Sequence, residues 1–271
     1  MFCFALRLRW TELTLSPILI RQNQPPARIA QIKEIAMAID AWFPLAIYYE
    51  DLPEHERYKA AHIERIRQLQ AGSGEKRTAE TSSWTGDVHK VDQLHNDPVF
   101  AWLTQQIERH ALLYLKALGH DLDKIDLYIQ RSWPVIAHKG QWVSRHAHHN
   151  ANLSAVYYIS IPKQGDAGQT RFFNDKKSNA LSDGIDSNMT SGYREYNAFN
   201  YTHVDYFPIE GRLLLFPAKQ PHDVVANQTD EERISISYDI IITARQHAGQ
   251  ATPEFLMPSP ENWKKFDHHI T

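Results

Sequence analysis

The chain has 271 residues, 42% of them apolar and 11% aromatic, enough for a sizeable core in one large domain or two small ones. A formal net charge of -3 gives no electrostatic footprint for nucleic acid or an anionic membrane, and no apolar run is long enough to suggest a span. The single cysteine, Cys3, excludes an intramolecular disulfide framework and favours a reducing, cytoplasmic setting.

Residues 1–26 show no clear period and read as a loosely held leader; arginines follow their apolar stretch instead of preceding it, unlike a signal peptide. Residues 27–123 read as a helical N-terminal region packing on the core. Within it, residues 27–42 carry Ile29, Ile32, Ala36 and Ile39 on one stripe, and 43–49 are extended. Residues 54–70 predict a solvated helix with a thin apolar edge at Tyr58, Ile66 and Leu69. The Gly, Ser, Thr and Lys stretch at 71–87 reads as a flexible connection. Asp97 and Pro98 then supply an N-cap and first-turn proline for a helix with Phe100, Leu103, Ile107, Ala111, Tyr114 and Leu118 on one face, stopped by Gly119 and packed across the outside of a sheet.

From residue 124 onward the chain reads as strands, at 125–136, 153–161, 169–173, 212–216 and 233–242, bounded by Gly, Pro, Asn or Asp. Strands without intervening helical periods argue for an antiparallel sandwich or barrel, so the fold class is mainly β with N-terminal helices. The catalytic core is expected over 124–245 and a C-terminal tail over 246–271. The polar insertion 174–207 is read as a lid over the barrel mouth, with a disordered insertion as the alternative.

Chemistry concentrates at Arg145-His146-Ala147-His148-His149-Asn150. Two histidines one residue apart at a strand mouth point to the same side and can grip one metal ion; His149 replaces His148 in that role if the strand begins one residue later. Downstream, residues 211–217 lead through a turn to His222, and in the strand after it Arg233, Ser235 and Ser237 share one face. A cationic, hydroxyl-bearing face beside a candidate metal ligand suits a carboxylate. Asp230, Glu231 and Glu232 could instead pair with Arg233 and spoil that assignment. Trp133 and Trp142 read as packing and Thr170 and Phe172 as core.

The ordered set His-x-His, a strand ending in Tyr157-Tyr158, residues 168–172, residues 211–217, His222 and Arg233-Ile234-Ser235 resembles the double-stranded β-helix (jelly-roll, cupin-like) core of Fe(II)/2-oxoglutarate-dependent oxygenases. It is most similar to a bacterial and phage group in which His-x-His stands where most relatives have His-x-Asp. The resemblance implies Fe(II) held by His146, His148 and His222, with 2-oxoglutarate as co-substrate and O2 as oxidant. It implies that Arg233 and Ser235 take the far carboxylate and that Tyr158 is a phenolic donor; the choice of Tyr158 over Tyr157 rests on alternation.

The activity so implied is a dioxygenase that hydroxylates a small polar or amino-acid-like metabolite, releasing succinate and CO2. Arg131, Arg171 and Arg194 are candidates to meet an acidic group on it. A cupin-type three-histidine enzyme that does not use 2-oxoglutarate, and a non-catalytic β-barrel binding module, are the competing readings. The sequence is compatible with a homodimer.

Overall fold

The computed structural model describes residues 44–74, 80–182, 185, 192–245 and 256–266. The leader, the helix expected over 27–42 and residues 246–255 of the tail lie outside the described residues. By internal contacts the chain divides into 1–46 and 47–271, and all the described strands and helices belong to the second unit.

Among the described residues, ten strands form two antiparallel sheets. The larger is ordered β1 (Tyr48–Asp51), β8 (Arg212–Pro217), β5 (Leu153–Ser160), β10 (Arg233–Ala244), β3 (Ile125–Ala137) and β2 (Trp84–Thr85). The smaller runs β4 (Val143–His146), β9 (His222–Val224), β6 (Thr170–Phe173) and β7 (His203–Tyr206). Two sheets facing one another across side chains from both agree with the double-stranded β-helix class, mainly β with two described helices. Among the described residues no helix is long and apolar enough to cross a membrane.

The five strands expected from the sequence, β3, β5, β6, β8 and β10, lie where alternation and turn residues put them. β10 is the spine of the larger sheet, pairing with β3 on one side and β5 on the other. Its outer face, Ile234, Ile236 and Tyr238, is buried, as is Tyr157 on the outer face of β5. Against that face lie the helices. α1 (His55–Gly72) sets the His55 ring beside Tyr157, whose hydroxyl lies 2.5 Å from His55 Nδ1. α2 (Ala101–Ala117) sets Trp102 edge-on to the same tyrosine at 6.4 Å.

α2 begins as its sequence predicts: the Asp97 carboxylate accepts from Val99 N–H (3.0 Å), and Pro98 opens a short tighter turn that runs into the helix. Phe100, Leu103, Ile107, Ala111 and Tyr114 are buried, but Leu118 is exposed because it caps the helix after its last turn. In α1 the buried face is His55, His62 and Ile66. Counting only apolar residues makes this edge look thin; two histidines complete its helical spacing.

Two expectations need correction. Residues 71–87 are not only a connector: Trp84–Thr85 is an edge strand paired with Ile136 and Val135 of β3. The insertion 174–207 is not structureless to its end either, since His203–Tyr206 pairs with β6 across Thr170–Phe173. The short strands β4, β7 and β9 have too few residues to show a period.

Candidate metal centre and co-substrate pocket

Between the two sheets lies a cavity of about 580 Å³, within the usual size of small-molecule sites. The end that gathers the three histidines is built by register. His146 closes β4 and is paired directly with His222, which opens β9, so two chain-distant imidazoles become cross-strand neighbours with ring centres 4.3 Å apart. The chain then leaves β4, and the backbone N–H of His148 donates to the carbonyl of Ala218 (2.9 Å). That bond turns the third ring inward, with its centre 5.0 Å from His146 and 5.4 Å from His222. The three residues offer ligand atoms that all lie within 4.8 Å of one another. His149 lines the cavity but is not in this cluster.

The tautomer of each ring follows from what faces its Nδ1. In His146 it meets the Ser144 carbonyl (2.7 Å), in His222 the Gln220 carbonyl (2.9 Å), and in His148 the Asp239 carboxylate (2.6 Å). A carbonyl or carboxylate oxygen cannot donate, so each Nδ1 carries the proton and each Nε2 keeps its lone pair for a metal. Burial, reinforced by the neighbouring His146, pushes the imidazolium pKa of His222 down to about 3; burial lowers that of His146 as well. Neutral imidazoles are the form that ligates.

Sequence reading alone does not single out Asp239. It continues the series 233, 235, 237 by one more period of two, and its direct neighbours across the sheet are Arg131 on β3 and Ser154 on β5. Both bond to it: Arg131 donates to Oδ2 (2.5 Å) and Ser154 to Oδ1 (3.3 Å). Burial raises the pKa of this carboxyl, but the bonds from His148 and Arg131 outweigh it and hold it below the usual aspartate value. Trp133 stacks on His148 at 5.8 Å, which agrees with its reading as packing, while also lining the cavity.

At the other end Arg233 is 2% exposed yet poorly partnered. Among the described residues its terminal nitrogens donate only to the Gly168 carbonyl and the Ser235 hydroxyl, both at 3.4 Å, and its Nε has no partner. The acids before it are elsewhere: Asp230 takes Lys139 (2.7 Å), Glu232 pairs with Arg67, and Glu231 is exposed. A buried guanidinium without an anion is costly, and a ligand carboxylate fits what it lacks. Ser235, Ser237 and Thr170 line the cavity with it. Tyr158 points inward from β5 while Tyr157 points out, as alternation requires, but Tyr158 stands behind Thr170 and does not itself line the cavity. Thr170, read from the sequence as a core residue, is buried and also lines the cavity.

No described residue of 174–207 lines the cavity. The rim near the three histidines comes instead from Thr85 and Asp87, beside β2, and from His149 and Asn150. None of the three arginines offered for an acidic substrate is free in the cavity. Arg131 is bonded to Asp239, and Arg171 grips Asp205 through two bonds (2.7 and 3.0 Å) outside it, while Arg194 is exposed and also outside.

Residues 131–239 match the model of a family described as "Putative 2OG-Fe(II) oxygenase". Its description names 2-oxoglutarate and Fe(II), the pair the resemblance implied, and the donor set of the cavity accommodates both. Among solved structures the chain is similar to the non-heme alpha ketoglutarate dependent carbocyclase SnoK from nogalamycin biosynthesis, with 14% identity and TM-score 0.50 over 76% of this chain and 84% of that one. It is also similar to a Pseudomonas putida prolyl-4-hydroxylase (19% identity, TM-score 0.47, 75% and 94% covered). A third is HygX from Streptomyces hygroscopicus with nickel and 2-oxoglutarate bound (12% identity, TM-score 0.48, 79% and 85% covered). No curated protein matches the sequence.

Proposed function

We propose that the chain is a hydroxylase of the 2OG-Fe(II) oxygenase family, whose model residues 131–239 match, in which His146, His148 and His222 hold the metal and Arg233 anchors 2-oxoglutarate. The single observation that carries this is the buried guanidinium of Arg233, which meets no anion among the described residues, in the same cavity as the cluster of three imidazoles. Fe(II) with 2-oxoglutarate and O2 supplies the oxidation of an unactivated C–H bond, with succinate and CO2 released.

The protein's part is positional. His146, His148 and His222 would hold the metal from one end of the cavity and would leave it open to co-substrate and O2. Arg233, with Ser235 and Thr170 beside it, receives the far carboxylate, and its planar fork fixes direction as well as charge. Val135, Val143, Val156, Val224 and Phe216 supply dry walls between the two ends.

We assign substrate entry to the rim formed by Thr85, Asp87, His149 and Asn150. The substrate itself we assign to the class of small polar molecules, on the size of the cavity and the hydrogen-bonding groups of that rim. Because Arg131 is already bonded to Asp239, an acidic anchor on the substrate loses its best candidate. Halogenation, epoxidation and desaturation share the same first steps and are separated by products alone. The single cysteine supports a cytoplasmic setting.

A cupin-type enzyme that ignores 2-oxoglutarate has no use for a buried Arg233 that meets no anion among the described residues, which is why that reading ranks second. Anaerobic addition of 2-oxoglutarate to the Fe(II)-loaded protein distinguishes them. A weak visible charge-transfer band is expected for a chelated 2-oxo acid, and neither Fe(II) alone nor 2-oxoglutarate alone should give it. Metal binding with no band and no change in melting temperature on adding 2-oxoglutarate would leave the cupin-type reading standing.

A further inference from the structure

We propose that Asp239 is a positioning residue that fixes His148 toward the metal and returns to the site the negative charge that a third imidazole leaves out. This rests on the three-histidine metal reading and goes beyond it to a residue outside the ligand set.

Three neutral imidazoles bring no charge to a divalent ion, whereas two imidazoles and a carboxylate bring one negative charge. In this chain the carboxylate is one bond further back. Asp239 is fully buried, its Oδ1 lies 2.6 Å from Nδ1 of His148, and the ring of His148 carries its polarity to the Nε2 on the opposite side. The arrangement is over-determined. Ser154 also donates to Oδ1, Arg131 holds Oδ2, and Trp133 covers the face of the His148 ring. Among the described residues the Nδ1 atoms of His146 and His222 meet only backbone carbonyls, so the hydrogen-bonded carboxylate is confined to His148.

The charge balance sets two expectations. His148→Asp alone should fail, because its new carboxylate would face Asp239 across the space the imidazole now bridges. His148→Asp combined with Asp239→Asn should work, because the pair then has one negative charge again, placed directly on the ion.

The test measures Co(II) affinity by chelator competition, with the Co(II) absorption spectrum as coordination readout and melting of the metal-free protein as a folding control. Asp239→Asn keeps an acceptor for Nδ1 and loses only the charge; it should weaken Co(II) on the order of 10–100-fold. His148→Asp should be at least as weak, and the double variant should recover to within about threefold of the original protein, a strongly non-additive cycle. Arg131→Met, which leaves Asp239 charged, should bind Co(II) as tightly as the original or more tightly, and it carries the test if Asp239→Asn does not melt cooperatively. Asp239→Asn binding like the original protein would overturn the inference, as would a double variant no better than His148→Asp or a loss in Arg131→Met matching that in Asp239→Asn. If the original protein itself takes up no Co(II) or Fe(II), the metal reading falls first; a tight original with an equally tight Asp239→Asn sinks only the role given to Asp239.

Discussion

The hydroxyl of Tyr158 lies 2.8 Å from that of Thr170, and of the two it is Thr170 that reaches the cavity. The phenol therefore orients a smaller donor.

Removing the smaller donor should matter more. Thr170→Val is expected to weaken 2-oxoglutarate binding to the metal-loaded protein about fivefold, the value of one neutral hydrogen bond. Tyr158→Phe should cost no more than about twofold, because the threonine remains in place. Anaerobic titration with 2-oxoglutarate measures both. A larger effect from Tyr158→Phe would mean that the phenol touches the co-substrate.

The two ends of the cavity should separate by mutation. His222→Ala should abolish metal binding. Arg233→Ala should keep the metal and weaken 2-oxoglutarate on the order of 10–100-fold, as expected for a charge-assisted pair. Without ligands, Arg233→Met should melt at a higher temperature than the original protein, since it removes a buried charge that has no anion among the described residues. Equal loss of metal in the His222 and Arg233 variants would refute this division, and calorimetry with and without 2-oxoglutarate checks the stability half.

His62 gives the fold a pH dependence separate from the metal site. Its side chain is fully buried among Tyr58, Phe100 and Trp102, and burial pushes its pKa from 6.5 down to about 4. The unfolded chain therefore binds the proton first. Stability from this group is complete above pH 6.5, falls as pH drops toward about 4, and levels off below that. Between pH 8 and pH 5 the loss is on the order of 2 kcal/mol. Urea melts at the two pH values should show it, and His62→Phe should remove that share of the difference.

The legible part of this protein was its long elements and its charged landmarks. Strands of eight to thirteen residues such as β3, β5 and β10 show their alternation, and α2 announces itself through Asp97, Pro98 and Gly119. His146, His148, His222 and Arg233, far apart in the chain, do meet around one cavity. What escaped was set by pairing. β9 has three residues and β4 four, so the contact between His146 and His222 is a matter of register that no local pattern reveals. Asp87 enters the rim from a stretch whose glycines and serines suggest only a connector. Asp239 could have been found: the alternation that places Arg233, Ser235 and Ser237 together places it there as well, but the apolar run that follows it draws the eye to the outer face.

One strand thus carries both the guanidinium of Arg233 and the carboxylate of Asp239 behind His148, six residues apart, or about 20 Å of extended backbone at the usual rise. The spacing between these two groups is a property of the pleat, held on both sides by β3 and β5. The rim belongs to other segments, around residues 85–87 and 149–150. On the proposed function, rewriting those two short loops would change the choice of substrate, while β10 would keep the distance between its two charged groups.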